Sequence, residues 1–151
     1  MNEHAPTARP FDITVRVYWE DTDAGGVVFY ANYLKYFERA RTEWLRAAGI
    51  SQQALRARAG LMFVVASTAV EYHAPARLDD MLVIRSRVLK LGRVAVVFQQ
   101  EAWRQPEADG QPTELLAAGQ IRVGCVEHVS MRPAPLPEAL RASLAASLVP
   151  A

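Results

Sequence analysis

The stretch "WEDTDAGGVVFYANYLKYFERARTEW", residues 19–44, changes character in its middle. Three carboxylates, Glu20, Asp21 and Asp23, stand at its start, Gly25 and Gly26 follow, and an aromatic-rich helical pattern then takes over. From Asn32, a natural N-cap residue, Tyr33, Tyr36, Phe37, Ala40, Trp44, Ala47 and Ala48 recur at the spacing of one helix face, and Gly49 supplies a stop. Lys35, Glu38, Arg39, Thr42, Glu43 and Arg46 take the wet side, where Arg39 and Glu43 are spaced for an i,i+4 pair. One long amphipathic helix is therefore expected, entered through an acidic, glycine-bearing turn.

Outward from this helix the chain is mostly strand. Upstream, "FDITVRVYW" alternates Ile13, Val15 and Val17 against Thr14, Arg16 and Tyr18, the period of a half-buried strand. Downstream, "SQQALRARAG" reads as a short helix opened by Ser51. The segments "LMFVVASTAVEY", "MLVIRSRVLK", "VAVVFQQEAW" and "ELLAAGQIRVGCV" are rich in β-branched and aromatic residues, with breakers at "HAPARLDD", "LGR" and "RQPEADGQP". None of these linkers demands a crossover helix, so the sheet should be antiparallel and the class α+β. Leu136, Leu140, Leu144 and Leu148 are spaced four apart and predict a small C-terminal helix. The expected organisation is a polar tail over 1–10, one domain over 11–135, and a short helix and tail over 136–151. A sheet covered on one face by a single long helix leaves edges and a face open, which predicts a partner chain.

Composition narrows the function. A chain of 151 residues with a formal net charge of +1 gives no global attraction for nucleic acid or an anionic membrane. Its start, "MNEHAPTARP", lacks the apolar core of a signal peptide, and no apolar run reaches the roughly 18 residues of a membrane span, so a soluble cytoplasmic protein without a transmembrane segment is expected. A lone cysteine, Cys125, excludes an intrachain disulfide; closing "IRVGCV", it reads as a buried, inert thiol. His4, His73 and His128 are scattered with no HExxH or CxxC spacing, and no serine sits in a GxSxG elbow, so neither a zinc site nor a serine hydrolase is expected.

The acidic turn supports two readings. Acids before a helix favour the positive end of its dipole, a purely structural role. The same helix start also offers unpaired backbone N–H groups that could hold a developing oxyanion, and glycines let a substrate approach closely. A carboxylate beside such donors could attack a carbonyl or activate water, which is acyl-transfer chemistry without serine, cysteine or metal.

On the residues "VYWEDTDAGGVVFYANYLKYFERAR" and "EYHAPARLDDML", the chain resembles the hotdog-fold thioesterases of the 4-hydroxybenzoyl-CoA type, and most closely the Tol-Pal-associated acyl-CoA thioesterases. The resemblance runs over about residues 11–135. It implies a five-stranded antiparallel sheet wrapped round one central helix, dimers joined edge to edge and sometimes paired into tetramers, and hydrolysis of an acyl-CoA to a carboxylic acid and free coenzyme A with no cofactor. It assigns the catalytic carboxylate to Asp23 and the backbone N–H that polarises the thioester carbonyl to Tyr30. Many members of that subfamily carry histidine at the position of Tyr30; a backbone donor survives the difference, an imidazole role does not.

Coenzyme A needs cations for its phosphates. Arg77, Arg85, Arg87, Lys90 and Arg93 lie close in sequence, offset by Asp79 and Asp80, and Lys90 and Arg93, which flank the "KLGR" turn, are the substrate-binding candidates. His73 and Asp80 read as turn-stabilising residues. The alternative to an enzyme is a noncatalytic scaffold that binds acyl-CoA or acyl carrier protein beside envelope or lipid-synthesis proteins.

Overall fold

A computed structural model describes residues 9–106 and 111–150. Most of the expected N-terminal tail lies outside the described residues, but the Arg9 carbonyl accepts a hydrogen bond from Ser147 Oγ at 2.5 Å. Five strands, β1 (Phe11–Arg16), β2 (Leu61–Tyr72), β3 (Met81–Leu91), β4 (Ala95–Arg104) and β5 (Glu114–Glu127), form one sheet in the order β1-β3-β4-β5-β2, with every neighbouring pair antiparallel. The strands coincide closely with the apolar segments read from sequence, and the α+β class is as expected.

Helix α1 (Asn32–Ala47) fills the concave face of the sheet. Tyr33, Tyr36, Phe37, Ala40 and Trp44 are buried along one stripe, against inward residues of β4 such as Val96, Phe98 and Ala102. Burying the larger of these side chains contributes roughly 1.5–3 kcal/mol each. Gly119 on β5 makes room for the helix: a Cβ there would lie 3.3 Å from the Phe37 ring and 3.1 Å from Val70. The inward face of β4 also carries one polar residue, Gln100, which is fully buried. Its amide donates to the Phe37 carbonyl at 2.9 Å and to Ser86 Oγ at 3.0 Å, and its oxygen accepts from Arg41 Nη1 at 2.8 Å.

Helix α2 (Gln52–Ala59) begins as expected at Ser51, whose hydroxyl accepts from the Ala54 N–H. Helix α3 (Glu138–Ala145) packs Leu140 and Leu144 into the core, while Leu148 lies beyond its end and is exposed.

Three local expectations are corrected. Asn32 does not cap α1; Ala31 occupies that position, and the Asn32 side chain donates instead to the Asp21 carbonyl at 2.8 Å, an acceptor that only the folded turn presents. Ala47 faces solvent, while Trp44 and the partly buried Leu45 carry the core contact of the last turn. Glu43 pairs with Arg46 rather than Arg39, which lies over the Tyr36 ring, 5.8 Å from its centroid.

β2 is an edge strand of 12 residues, much of it exposed, with Glu71 its only charged residue. A long edge without lysine or proline is poorly protected against pairing with another chain.

Candidate active site

The three acids of the opening stretch have separate fates. Trp19–Asp21 form one turn of 3₁₀ helix, inside which the Asp21 carboxylate accepts from the Tyr18 N–H at 2.9 Å. The Asp21 carbonyl accepts from the Phe29 N–H at 3.0 Å as well as from Asn32. Only 7 % of Asp21 is exposed. It is a stitch that ties the end of β1 to the start of α1. Glu20 points to solvent.

Asp23 opens a small hairpin. Its N–H donates to the Val27 carbonyl at 2.9 Å, its carbonyl accepts from Gly26 at 3.0 Å, and Thr22 bridges Val28 alongside. The three-residue loop closes on Gly26 at φ +76°, the left-handed conformation such loops favour. Asp23 Oδ1 accepts from the Gly25 N–H at 2.8 Å, and a Cβ on Gly25 would crowd that same oxygen at 3.2 Å. Both glycines are thus explained by the loop that holds Asp23, whose carboxylate is exposed.

The hairpin returns the chain to α1 through Phe29 and Tyr30. The Tyr30 carbonyl accepts from the Tyr72 hydroxyl at 2.9 Å, which fixes the peptide unit that follows it. Among the described residues, no protein group accepts from the Tyr30 N–H. Its ring is 63 % exposed, in contact with Phe29 and edge-on to Tyr72, with centroids 4.7 and 6.3 Å away. Beside it lies an open depression of about 300 Å³ walled by Val28, Tyr30, Tyr33, Tyr72, His73 and Pro75. Burial raises the pKa of the Tyr33 and Tyr72 hydroxyls above the ordinary phenol value, so both stay protonated at neutral pH. Tyr36, deeper in the helix, is raised further, first by burial and then by the Asp21 carboxylate.

The basic residues divide. Arg85 makes a bidentate pair with Asp12, and Arg87 pairs with Glu101 at 3.3 Å, so these two are already neutralised. Lys90 and Arg93 are exposed and unpaired among the described residues. They sit at the far end of β3, however. Met81 begins that strand opposite Arg16, close to the acidic turn, and Lys90 lies about 30 Å farther along it. One chain does not bring Lys90 and Arg93 to Asp23 and Tyr30. The cation that does border the turn is Arg77, bridged to Val27. Asp80 has the expected turn role, accepting from the Arg77 N–H at 2.9 Å and pairing with Arg104. Cys125 is buried, and burial raises its thiol pKa, in keeping with an inert group.

Residues 25–111 match the model of the Thioesterase superfamily. The acyl-CoA thioester hydrolase YbgC of Escherichia coli O157:H7 is 46 % identical over 126 residues, which is 83 % of this chain and 89 % of that protein. The acyl-CoA thioesterase YbgC of Haemophilus influenzae is 40 % identical over 133 residues, 88 % of this chain and 93 % of that one. In fold, the 1,4-dihydroxy-2-naphthoyl-CoA thioesterase Slr0204 from Synechocystis superposes with a TM-score of 0.81 over 91 % of this chain and 96 % of its own, at 23 % identity. The matching family model and relatives of this similarity agree with a single helix cradled by an antiparallel sheet: the chain belongs to the thioesterase superfamily.

Proposed function

We propose that this protein is an acyl-CoA thioester hydrolase whose site is built on Asp23 and Tyr30. The observation that carries this reading is the pairing, across one short hairpin, of a loop-held exposed carboxylate with an N–H just before the helix that no protein group among the described residues uses. The thioester carbonyl oxygen accepts from the Tyr30 N–H, where negative charge develops as the carbonyl carbon becomes tetrahedral. Asp23 then either attacks that carbon, forming an anhydride that water opens, or takes the proton of an attacking water. In both routes the C–S bond breaks, the thiolate leaves and takes up a proton, and a carboxylic acid remains. Release of free thiol from a panel of acyl-CoAs tests the proposal. Binding without thiol release for every acyl chain would instead identify a scaffold.

The native assembly in this reading is a dimer joined through the β2 edge, with a tetramer as a further pairing of dimers. The donor is coenzyme A or an acyl carrier protein, and the subfamily resemblance carries cytoplasmic residence and a Tol-Pal association. No helix among the described residues is long and apolar enough to cross a membrane. Since one chain holds Lys90 and Arg93 far from Asp23, they anchor the phosphates only if the partner supplies them.

Mixing variants tests assembly and anchor together. Asp23→Asn protein and a Lys90→Gln/Arg93→Gln double variant, dissociated and remixed, should recover part of the wild-type kcat/KM, because half of the sites in a mixed dimer regain both elements. Without recovery, the phosphates are held within one chain, where Arg77 is the cation at hand.

A further inference from the structure

A second cavity lies on the other side of α1, away from the acidic turn. It holds about 190 Å³ between the C-terminal half of that helix, β2, the inward faces of β4 and β5, and α3. Its walls include Trp44, Phe63, Phe98, Leu140 and Leu144, all apolar. The volume exceeds the roughly 150 Å³ that accommodates benzene in a dry apolar cavity.

Two charged groups, Arg41 and Glu38, interrupt this lining, with the polar Thr42 and Gln52 beside them. Arg41 sits in the wall, more than half sequestered from solvent, and burial lowers its pKa without removing its charge at neutral pH. It makes a hydrogen bond to Gln100, a neutral residue, and among the described residues no carboxylate lies within ion-pair distance of it. Glu38, one turn earlier in the same lining, is exposed and acts on Arg41 through its charge without contacting it, which partly offsets the effect of burial. The remaining guanidinium N–H groups are not sealed away as orphaned buried donors. An arginine half-withdrawn from water beside an apolar hollow, with donors to spare, is a poor arrangement for an empty core and a good one for an anion with a hydrophobic body.

We propose that this cavity binds an apolar carboxylic acid, its hydrocarbon part against Leu140, Leu144 and Phe98 and its carboxylate on Arg41. The site is distinct from the Asp23 hairpin: Arg41 is about 14 Å along the helix axis from Asn32. The acid freed by thioester hydrolysis belongs to this chemical class, which would make the cavity a place where product is held. That last connection rests on the proposed activity; the binding itself does not.

Octanoate and octan-1-ol, titrated into the full chain by calorimetry, separate the carboxylate contribution from the hydrocarbon one. Octanoate should bind at least about tenfold more tightly, the effect of one charge-assisted hydrogen bond. Arg41→Met should bring the two ligands to within about twofold, Arg41→Lys should keep part of the preference, and Leu140→Trp, which fills the cavity with Arg41 intact, should abolish binding of both. Equal affinity of the two ligands for the unmodified protein overturns the proposal. So does octanoate binding that survives Leu140→Trp in a folded protein, since the acid then sits elsewhere. The same titration on Asp23→Asn protein should be unchanged, so the outcome is independent of catalysis.

Discussion

Asp23→Asn should lower kcat for acyl-CoA hydrolysis by at least about 100-fold, the lower bound for losing a carboxylate nucleophile or general base, with fold and assembly intact. The amide is a stringent replacement here. Its oxygen can still accept from the Gly25 N–H, so the Asx-type turn and the Gly26 closure persist, and only the charge is lost. Thiol release measures the rate, and light scattering with thermal melting checks that the protein is otherwise unaltered. Near-normal turnover would reduce Asp23 to a loop residue and remove the foundation of the proposed mechanism.

Asp21→Ala should do the opposite: a large effect on stability and a small one on chemistry. The Asp21 carboxylate, itself buried, satisfies the Tyr18 N–H in a part-buried bond, and a donor left unpaired away from water costs about 1–3 kcal/mol. For a chain of this length that corresponds to a drop in Tm of roughly 4–8 °C at the middle of that range. Asp21→Asn, which keeps an acceptor, should fall between. Below its melting range, the alanine variant should keep kcat within about tenfold of the unmodified protein. A variant that melts normally yet is inactive would transfer the catalytic assignment from Asp23 to Asp21. The two acids stand two residues apart, and in a continuous strand they would share a face. Only the 3₁₀ turn between β1 and the hairpin drives one inward and leaves the other outside.

That turn also marks where the sequence stops being legible. The α1 stripe from Tyr33 to Trp44 and the alternation of β1 could be read directly, because periodicity is a local property of the chain. Asn32 reads as a cap in the sequence because its real acceptor, the Asp21 carbonyl, exists only once the hairpin has closed. The placement of Arg41 is hidden for a similar reason. A charge on an amphipathic helix reads as solvated, and its partner Gln100 is 59 residues away on a strand that reads as plain core. The separation of Lys90 from Asp23 was equally hidden, since clustering along the chain says nothing about which end of a strand a residue occupies. The order β1-β3-β4-β5-β2 had to be seen.

That order has a consequence for how the molecule assembles itself. The β3–β4 hairpin joins Leu91 to Val96 and β5 follows as the next strand of the meander, so these three strands can form with short closures. β1 must find β3 across the whole of α1, α2 and β2, pairing Phe11 with Ser86, and β2 must reach β5 with Leu61 opposite Glu127. Distant closures carry the larger entropic cost and are favoured only after local structure exists to receive them. Both flanks of the Asp23 hairpin depend on these late pairings, since it follows β1 and rests on Ala76 and Arg77 just beyond β2. In the proposed mechanism the carboxylate of Asp23 therefore lies between the most distant closures of the chain, and topology favours a central meander that forms before the site does.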